Sequence, residues 1–225
     1  MDEPTAYVLS NDQVDYGYLG AKWLFEKLGG EGKVVYMRGI DGVPADSDRD
    51  AGFDRAHAEF PGIEVVSETF TGWAQGPALE QIQALFNAGT EFDGVWTSGI
   101  DSTIVDAFVA NQKAFVPIVG ADNNQFVGYL VSQAPNGLVG AAVTNPPPVG
   151  GAGVAKALRI LQGETVDRDT ILVPAVWDNS TEDGQATLAA AYNQALHPYY
   201  GVNYTIPDWT HYGFEDLVSC KGPGE

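Results

Sequence analysis

Apolar and polar positions along the chain switch repeatedly between a helical period and an unbroken apolar run. Gly17, Ala21, Leu24 and Leu28 recur at spacings of four, three and four, which is one face of a helix. Gly29-Gly30 follows and ends it, as glycine does past a last turn. Lys33–Met37 (KVVYM) is then continuously apolar, the mark of a parallel strand covered on both faces. The alternation repeats with a period of roughly thirty residues, as βα units do. It predicts an α/β fold, a parallel sheet with helices on both faces.

Strands are expected at Ala6–Leu9, Lys33–Met37, Ile63–Phe70, Phe92–Thr97, Val116–Gly120, Leu138–Val143 and Ile171–Val173. Helices are expected at Asp46–Phe60, capped by Asp46, Ser47 or Asp48, and around Pro77, with Leu79, Ile82, Leu85 and Phe86 as a buried stripe. Further helices are expected at Asp101–Asn111, Gln125–Ser132, Gly151–Leu161 (Val154, Leu158 and Leu161 on one face) and Glu182–Leu196. Pro146-Pro147-Pro148 belongs in neither a helix interior nor a central strand. The tail from His197 is rich in Tyr, Trp, Pro and Asp, and its aromatics predict an ordered surface extension rather than disorder.

Composition narrows the function more than the fold. Apolar residues make up 44% and charged residues 18%, ordinary globular values. Thirty acidic against 11 basic residues give a net charge of −19. Such a surface repels phosphate backbones, so nucleic acid and anionic lipid are poor partners and a neutral ligand is favoured. No stretch has the length and apolarity of a membrane span. The acidic, polar amino end is no secretory signal, so a leader is expected to have been removed or the chain to start within a longer product. The one cysteine, Cys220, has no internal partner and reads as a spare thiol or as one that pairs elsewhere.

No catalytic signature is present: no Gly-x-Ser-x-Gly elbow, no phosphate loop and no dinucleotide fingerprint. The three histidines lack metal-ligand spacing. The chain therefore reads as a binder, not an enzyme, with no cofactor and no metal. Ligands of open α/β sheets sit outside the carboxyl ends of the strands, and four candidates fall there. Arg49, near a helix start where the dipole disfavours a cation, is either part of a local salt-bridge cluster or a cleft donor. Trp73, in a strand-to-helix loop, is either packing or a platform over a pocket. Asp122, just past Val116–Gly120, is a turn initiator or an acceptor for hydroxyl groups. Asn145, beside the proline run, is a turn residue or a donor and acceptor in the cleft.

Several stretches together resemble the periplasmic sugar-binding proteins of ABC transporters, in particular the ribose-binding-like group. They are Ser10-Asn11-Asp12 with the Gly20-Ala21 helix, GGEGKVVYMRGIDG, DRDAGF, FDGVW, VPIVGADN and GLVGAAVTN, in order over residues 6–175. The resemblance implies a type I periplasmic binding protein fold, with two Rossmann-like lobes around a sugar. It places the family's cleft arginine on Arg49, its stacking aromatic on Trp73, its cleft aspartate on Asp122 and its hinge amide on Asn145. An asparagine expected near Gly99–Asp101 is replaced, with Asp101 as its stand-in. It also implies that most of a first lobe is missing before Ala6. Residues 1–10 would be a remnant of that lobe and hinge, 11–145 the second lobe, 146–175 a first-lobe helix and hinge return, and 176–225 a helix and extension.

The function implied is the solute-binding component of a carbohydrate importer, exported to the periplasm or cell exterior. It would hold a neutral sugar or polyol, serve a membrane permease and be monomeric when intact. The alternative is the effector domain of a sugar-responsive repressor or sensor. Two expectations follow: this chain alone binds sugar weakly or not at all, and Asp122→Ala in an intact protein costs affinity far more than stability.

Overall fold

The computed structural model describes residues 6–219. Its six-stranded sheet runs in the order β3 (Gly62–Phe70), β2 (Glu31–Arg38), β4 (Gly94–Trp96), β5 (Ile118–Ala121), β6 (Gly140–Val143), β8 (Val176–Asp178). The first five are parallel, and β8 closes the edge antiparallel to β6. From β2 the chain moves outward to β3, then returns across the sheet to β4. The direction of strand addition therefore reverses between β2 and β4, and a crevice opens at such a switch point.

Neighbouring strand residues point to opposite faces, and both faces are covered. Val34, Tyr36, Trp96, Val119 and Val143 pack with Leu24 and Phe25 of α1 (Gln13–Lys27) and Phe53 of α2 (Pro44–Glu59). Val35, Met37, Val95, Ile118 and Ala142 pack beneath α3 (Gln75–Ala88), α4 (Asp101–Ala110), α5 (Asn124–Ser132) and α7 (Glu182–Ala191). This explains why KVVYM carries no polar residue between Val34 and Met37. Tyr36 stacks on Phe53 at 3.8 Å between centroids, a pairing that adds about 1 kcal/mol beyond burial.

Two glycines let α1 and α2 touch backbone to backbone. A Cβ on Gly17 would stand 1.9 Å from the Arg49 carbonyl oxygen, and one on Gly52 1.9 Å from that of Val14. The crossing thus brings the first turns of α1 against the part of α2 that carries Arg49.

The element types expected at these positions are present, with corrections at their ends. Helix α2 starts at Pro44, two residues before Asp46, with proline in its first turn and no side-chain cap. Asp46, Ser47 and Asp48 are therefore not caps, and Arg49 lies in the second turn. Asp46 instead accepts from the Gly39 N–H at 2.6 Å and pairs with Arg38 at 2.8 Å. Leu79 is exposed, and Ala78, Ile82 and Phe86 make the buried stripe of α3. Helix α7 ends at Ala191 rather than Leu196. The edge strand β8 is an element that periodicity missed.

Two further regions complete the chain. Strands β1 (Val8–Asn11) and β7 (Asp169–Leu172) form a separate parallel pair, with α6 (Val149–Leu161) packed beside them. The tail is ordered: Leu196, Val202 and Ile206 are buried, and β9 (Thr205–Ile206) pairs with β10 (Thr210–His211). The last described helix is α8 (Phe214–Ser219). Met1, at the start, and Cys220 lie outside the described residues.

Candidate functional site

The carboxyl ends of β2 to β6 gather the candidates on one edge of the main sheet. Trp73, after β3, lays its indole on Gly39 at the end of β2; a Cβ there would stand 2.2 Å from the ring. The same ring approaches Gly99, after β4, and its Nε1 donates to Ser98 Oγ at 3.2 Å. It thus spans the switch point between β2 and β4. Its backbone sits at φ 50°, a left-handed conformation uncommon for a large side chain.

Arg49 reaches the same edge from α2. Its guanidinium carbon lies 4.0 Å from the centroid of Tyr16 and 5.7 Å from that of Trp73. Its Nε donates to Gln13 Oε1 at 2.8 Å. The neighbouring acids do not neutralise it: Arg38 takes Asp46, Asp50 and Glu68 at 2.8, 2.9 and 2.8 Å. The salt-bridge cluster that its sequence neighbours suggested is therefore the property of Arg38. Arg49 is 7% exposed, and its two terminal nitrogens make no hydrogen bond among the described residues.

Asn145, after β6, joins this group through a shared glutamine. Gln13 Nε2 donates to Asn145 Oδ1 at 3.0 Å, and Asn11 Nδ2 donates to the same oxygen at 3.0 Å. Asn145 Nδ2 makes no hydrogen bond among the described residues. Gln13 thereby links the guanidinium of Arg49 to the amide of Asn145.

Asp122 is buried just below. Its Oδ1 accepts from the Asn145 N–H and its Oδ2 from the Asn203 N–H, both at 3.2 Å. Burial pushes its carboxyl up to about 6, against the pull of those two N–H groups. Each oxygen keeps a second lone pair. Asp101 is more fully consumed by the protein. Its Oδ1 accepts from the Thr97 hydroxyl and from the Gly99 N–H at 3.0 Å, and its Oδ2 from Asn123 Nδ2 at 2.9 Å. Its carboxyl packs on Gly120, and burial raises its pKa. The structure therefore brings Arg49, Trp73, Asn145 and Asp122 to one edge, and seats Asp101 beneath the loops that follow β4 and β5.

Gln13, Tyr16, Ser98 and Asn203 also belong to this edge and were not singled out from the sequence. Gln13 follows Asp12, which caps α1 by accepting from the Asp15 N–H at 2.8 Å. Its place just past a strand end is the same signal that marked Asp122. Tyr16 gave no signal, because its contact depends on how α1 crosses α2. No group of acidic, histidine or cysteine side chains suited to a metal ion occurs among the described residues.

A family description, the periplasmic binding protein domain, matches residues 1–165. The chain belongs to this periplasmic binding protein family. A xylitol-binding protein of Mycolicibacterium smegmatis is 26% identical over 175 residues, which are 76% of this chain and 50% of that protein. A solute-binding protein of an ABC transporter from Thermobispora bispora superposes with a TM-score of 0.72 at 22% identity, covering 100% of this chain and 68% of that one. Another, from Actinobacillus succinogenes with bound D-allose, gives 0.65 at 24% identity, covering 76% and 62%. The chain thus spans half the length of the curated relative it matches. The type I periplasmic binding protein fold and the ribose-binding-like resemblance hold. This periplasmic binding protein presents Arg49, Trp73, Asp122 and Asn145 at the carboxyl edge of its main sheet.

Proposed function

We propose that this chain is part of the solute-binding component of a carbohydrate ABC importer, holding a neutral sugar or polyol against the carboxyl edge of its main sheet. One observation carries the reading. Arg49, with no ion pair among the described residues, and the indole of Trp73 adjoin at the topological switch point, 5.7 Å apart. An aromatic face covers the C–H face of a sugar while an arginine fork binds its hydroxyl oxygens. Asn145 Nδ2 adds a donor, and the spare lone pairs of Asp122 accept hydroxyls. Asp101 supports the loops rather than touching the guest. Buried polar groups of this kind reject deoxy analogues, which leave them unpaired.

On this reading the protein performs no chemistry, is exported, and delivers its ligand to a membrane permease. Residues 11–145 are one lobe, and 146–175 return toward the other. The xylitol-binding relative supports a polyol as ligand. With one lobe supplying only part of the contacts, the chain alone is expected to bind weakly rather than not at all.

The test is an NMR titration of the 15N-labelled chain with xylitol, pentoses and hexoses. Shifts of the Trp73 indole N–H and the Arg49 Nε–H are expected with at least one neutral member and to be absent in Arg49→Ala. Silence of both signals across the whole panel overturns the reading.

A further inference from the structure

Arg49 is held chiefly by α1, with the Trp73 ring farther off at 5.7 Å. Gln13 and Tyr16 stand three residues apart on α1, so their side chains share a helix face, and that face meets the guanidinium. Gln13 Oε1 accepts from Nε at 2.8 Å, while the Tyr16 ring lies 4.0 Å from the guanidinium carbon. The Tyr16 ring is itself fixed, edge to face with Trp96 at 6.3 Å. Its hydroxyl is buried and makes no hydrogen bond among the described residues, so what it offers Arg49 is the face of the ring. Gln13 donates one amide hydrogen to Asn145 Oδ1 at 3.0 Å, which fixes the orientation of that amide: oxygen to Arg49, nitrogen to Asn145.

We propose that Gln13 and Tyr16 are positioning residues of this site. They leave the terminal nitrogens of Arg49 free while removing its side-chain freedom, and Gln13 ties its placement to that of Asn145. Neither residue touches the guest. The inference rests on the sugar-binding reading for its consequence, and on the structure alone for its geometry. An arginine that must be ordered by the ligand binds about tenfold more weakly than one already ordered, given the entropy of an immobilised long side chain.

The experiment compares Gln13→Ala, Tyr16→Leu and Tyr16→Phe with the unmodified chain, using two readouts. The first is the 15N-resolved Arg49 Nε–H signal, assigned by its loss in Arg49→Lys, and it needs no ligand. It is expected to be slowly exchanging and ring-shifted in the unmodified chain and in Tyr16→Phe. It should lose the ring shift in Tyr16→Leu and exchange rapidly in Gln13→Ala. The second is affinity for xylitol, expected to fall about tenfold in Gln13→Ala and Tyr16→Leu and to be retained in Tyr16→Phe. Should Tyr16→Leu fail to fold, Gln13→Ala carries the test. An unchanged Nε–H signal in Gln13→Ala overturns the inference, and so does a changed signal with unchanged affinity. If the unmodified chain binds no sugar or polyol at all, the proposed function fails, and the first readout still decides whether α1 holds Arg49.

Discussion

Val35 and Ile82 are sealed between strand and helix on the main sheet, whereas Val154, Leu158 and Leu161 on α6 are 62%, 53% and 84% exposed. Both regions read from the sequence as βα units with an apolar helix face. The main sheet has helices on both sides, as parallel sheets require. Among the described residues, α6 is the helix packed on the β1–β7 pair, held to it by Lys156, whose Nζ donates to the Val8 and Arg168 carbonyls and to Thr170 Oγ1 at 2.5, 3.0 and 2.9 Å. An apolar stripe on a helix thus reports what the helix is suited to cover. Burial depends on whether a second layer stands opposite.

The largest way to break this comparison is at the α1–α2 crossing. Gly17→Ala would drive its methyl into the Arg49 carbonyl, where backbone rather than a flexible side chain must give way. A loss of about 3 kcal/mol is expected, read as a lower urea midpoint. A loss below about 0.5 kcal/mol would show that the two helices do not meet as described.

A smaller effect sharpens the picture of the buried edge. The Asp122 carboxyl, at about 6 against an ordinary 3.8, holds its proton more tightly in the folded than in the unfolded chain. Its contribution to stability is therefore greatest below the unfolded value and is lost as pH climbs through 3.8 to about 6. Relative to Asp122→Asn, the unmodified chain should lose about 2–3 kcal/mol across that window. A stability difference that stays flat with pH would refute the burial of this carboxyl. Because Asp122 also receives two backbone N–H groups, Asp122→Ala is expected to cost stability as well as affinity, unlike the expectation drawn from sequence. The smallest effect is at the open face: Leu161→Ser should change stability by less than about 0.5 kcal/mol when the two urea curves are compared. A cost of about 2 kcal/mol or more would mean that this face is covered.

How far the sequence is legible follows the same contrast. KVVYM was readable as a parallel strand because both its faces are buried. The strand β8 was not, since its residues are only half-buried and its antiparallel pairing is set by the sheet edge. The start of α2 was misplaced because Asp46, Ser47 and Asp48 look like caps, while Pro44 and the demand of Arg38 for carboxylates decided the matter. That Arg49, Trp73, Asp122 and Asn145 lie at one edge was legible, because strand order places strand ends together whatever the details of packing. Gln13 and Tyr16 were not, because their part depends on an interhelical approach that Gly17 and Gly52 permit and no periodicity reveals.

The two donors to Asp122 come from different parts of the chain: Asn145 follows β6, and Asn203 lies in the tail, whose Val202 N–H also bonds the Asp122 carbonyl at 2.9 Å. Anyone trimming this protein for expression, or splicing a reporter onto it, meets a boundary here. A product cut before Val202 leaves one carboxylate oxygen and the carbonyl of Asp122 without their protein donors, so the aromatic tail is a structural member of the sheet's carboxyl edge and not a dispensable appendage.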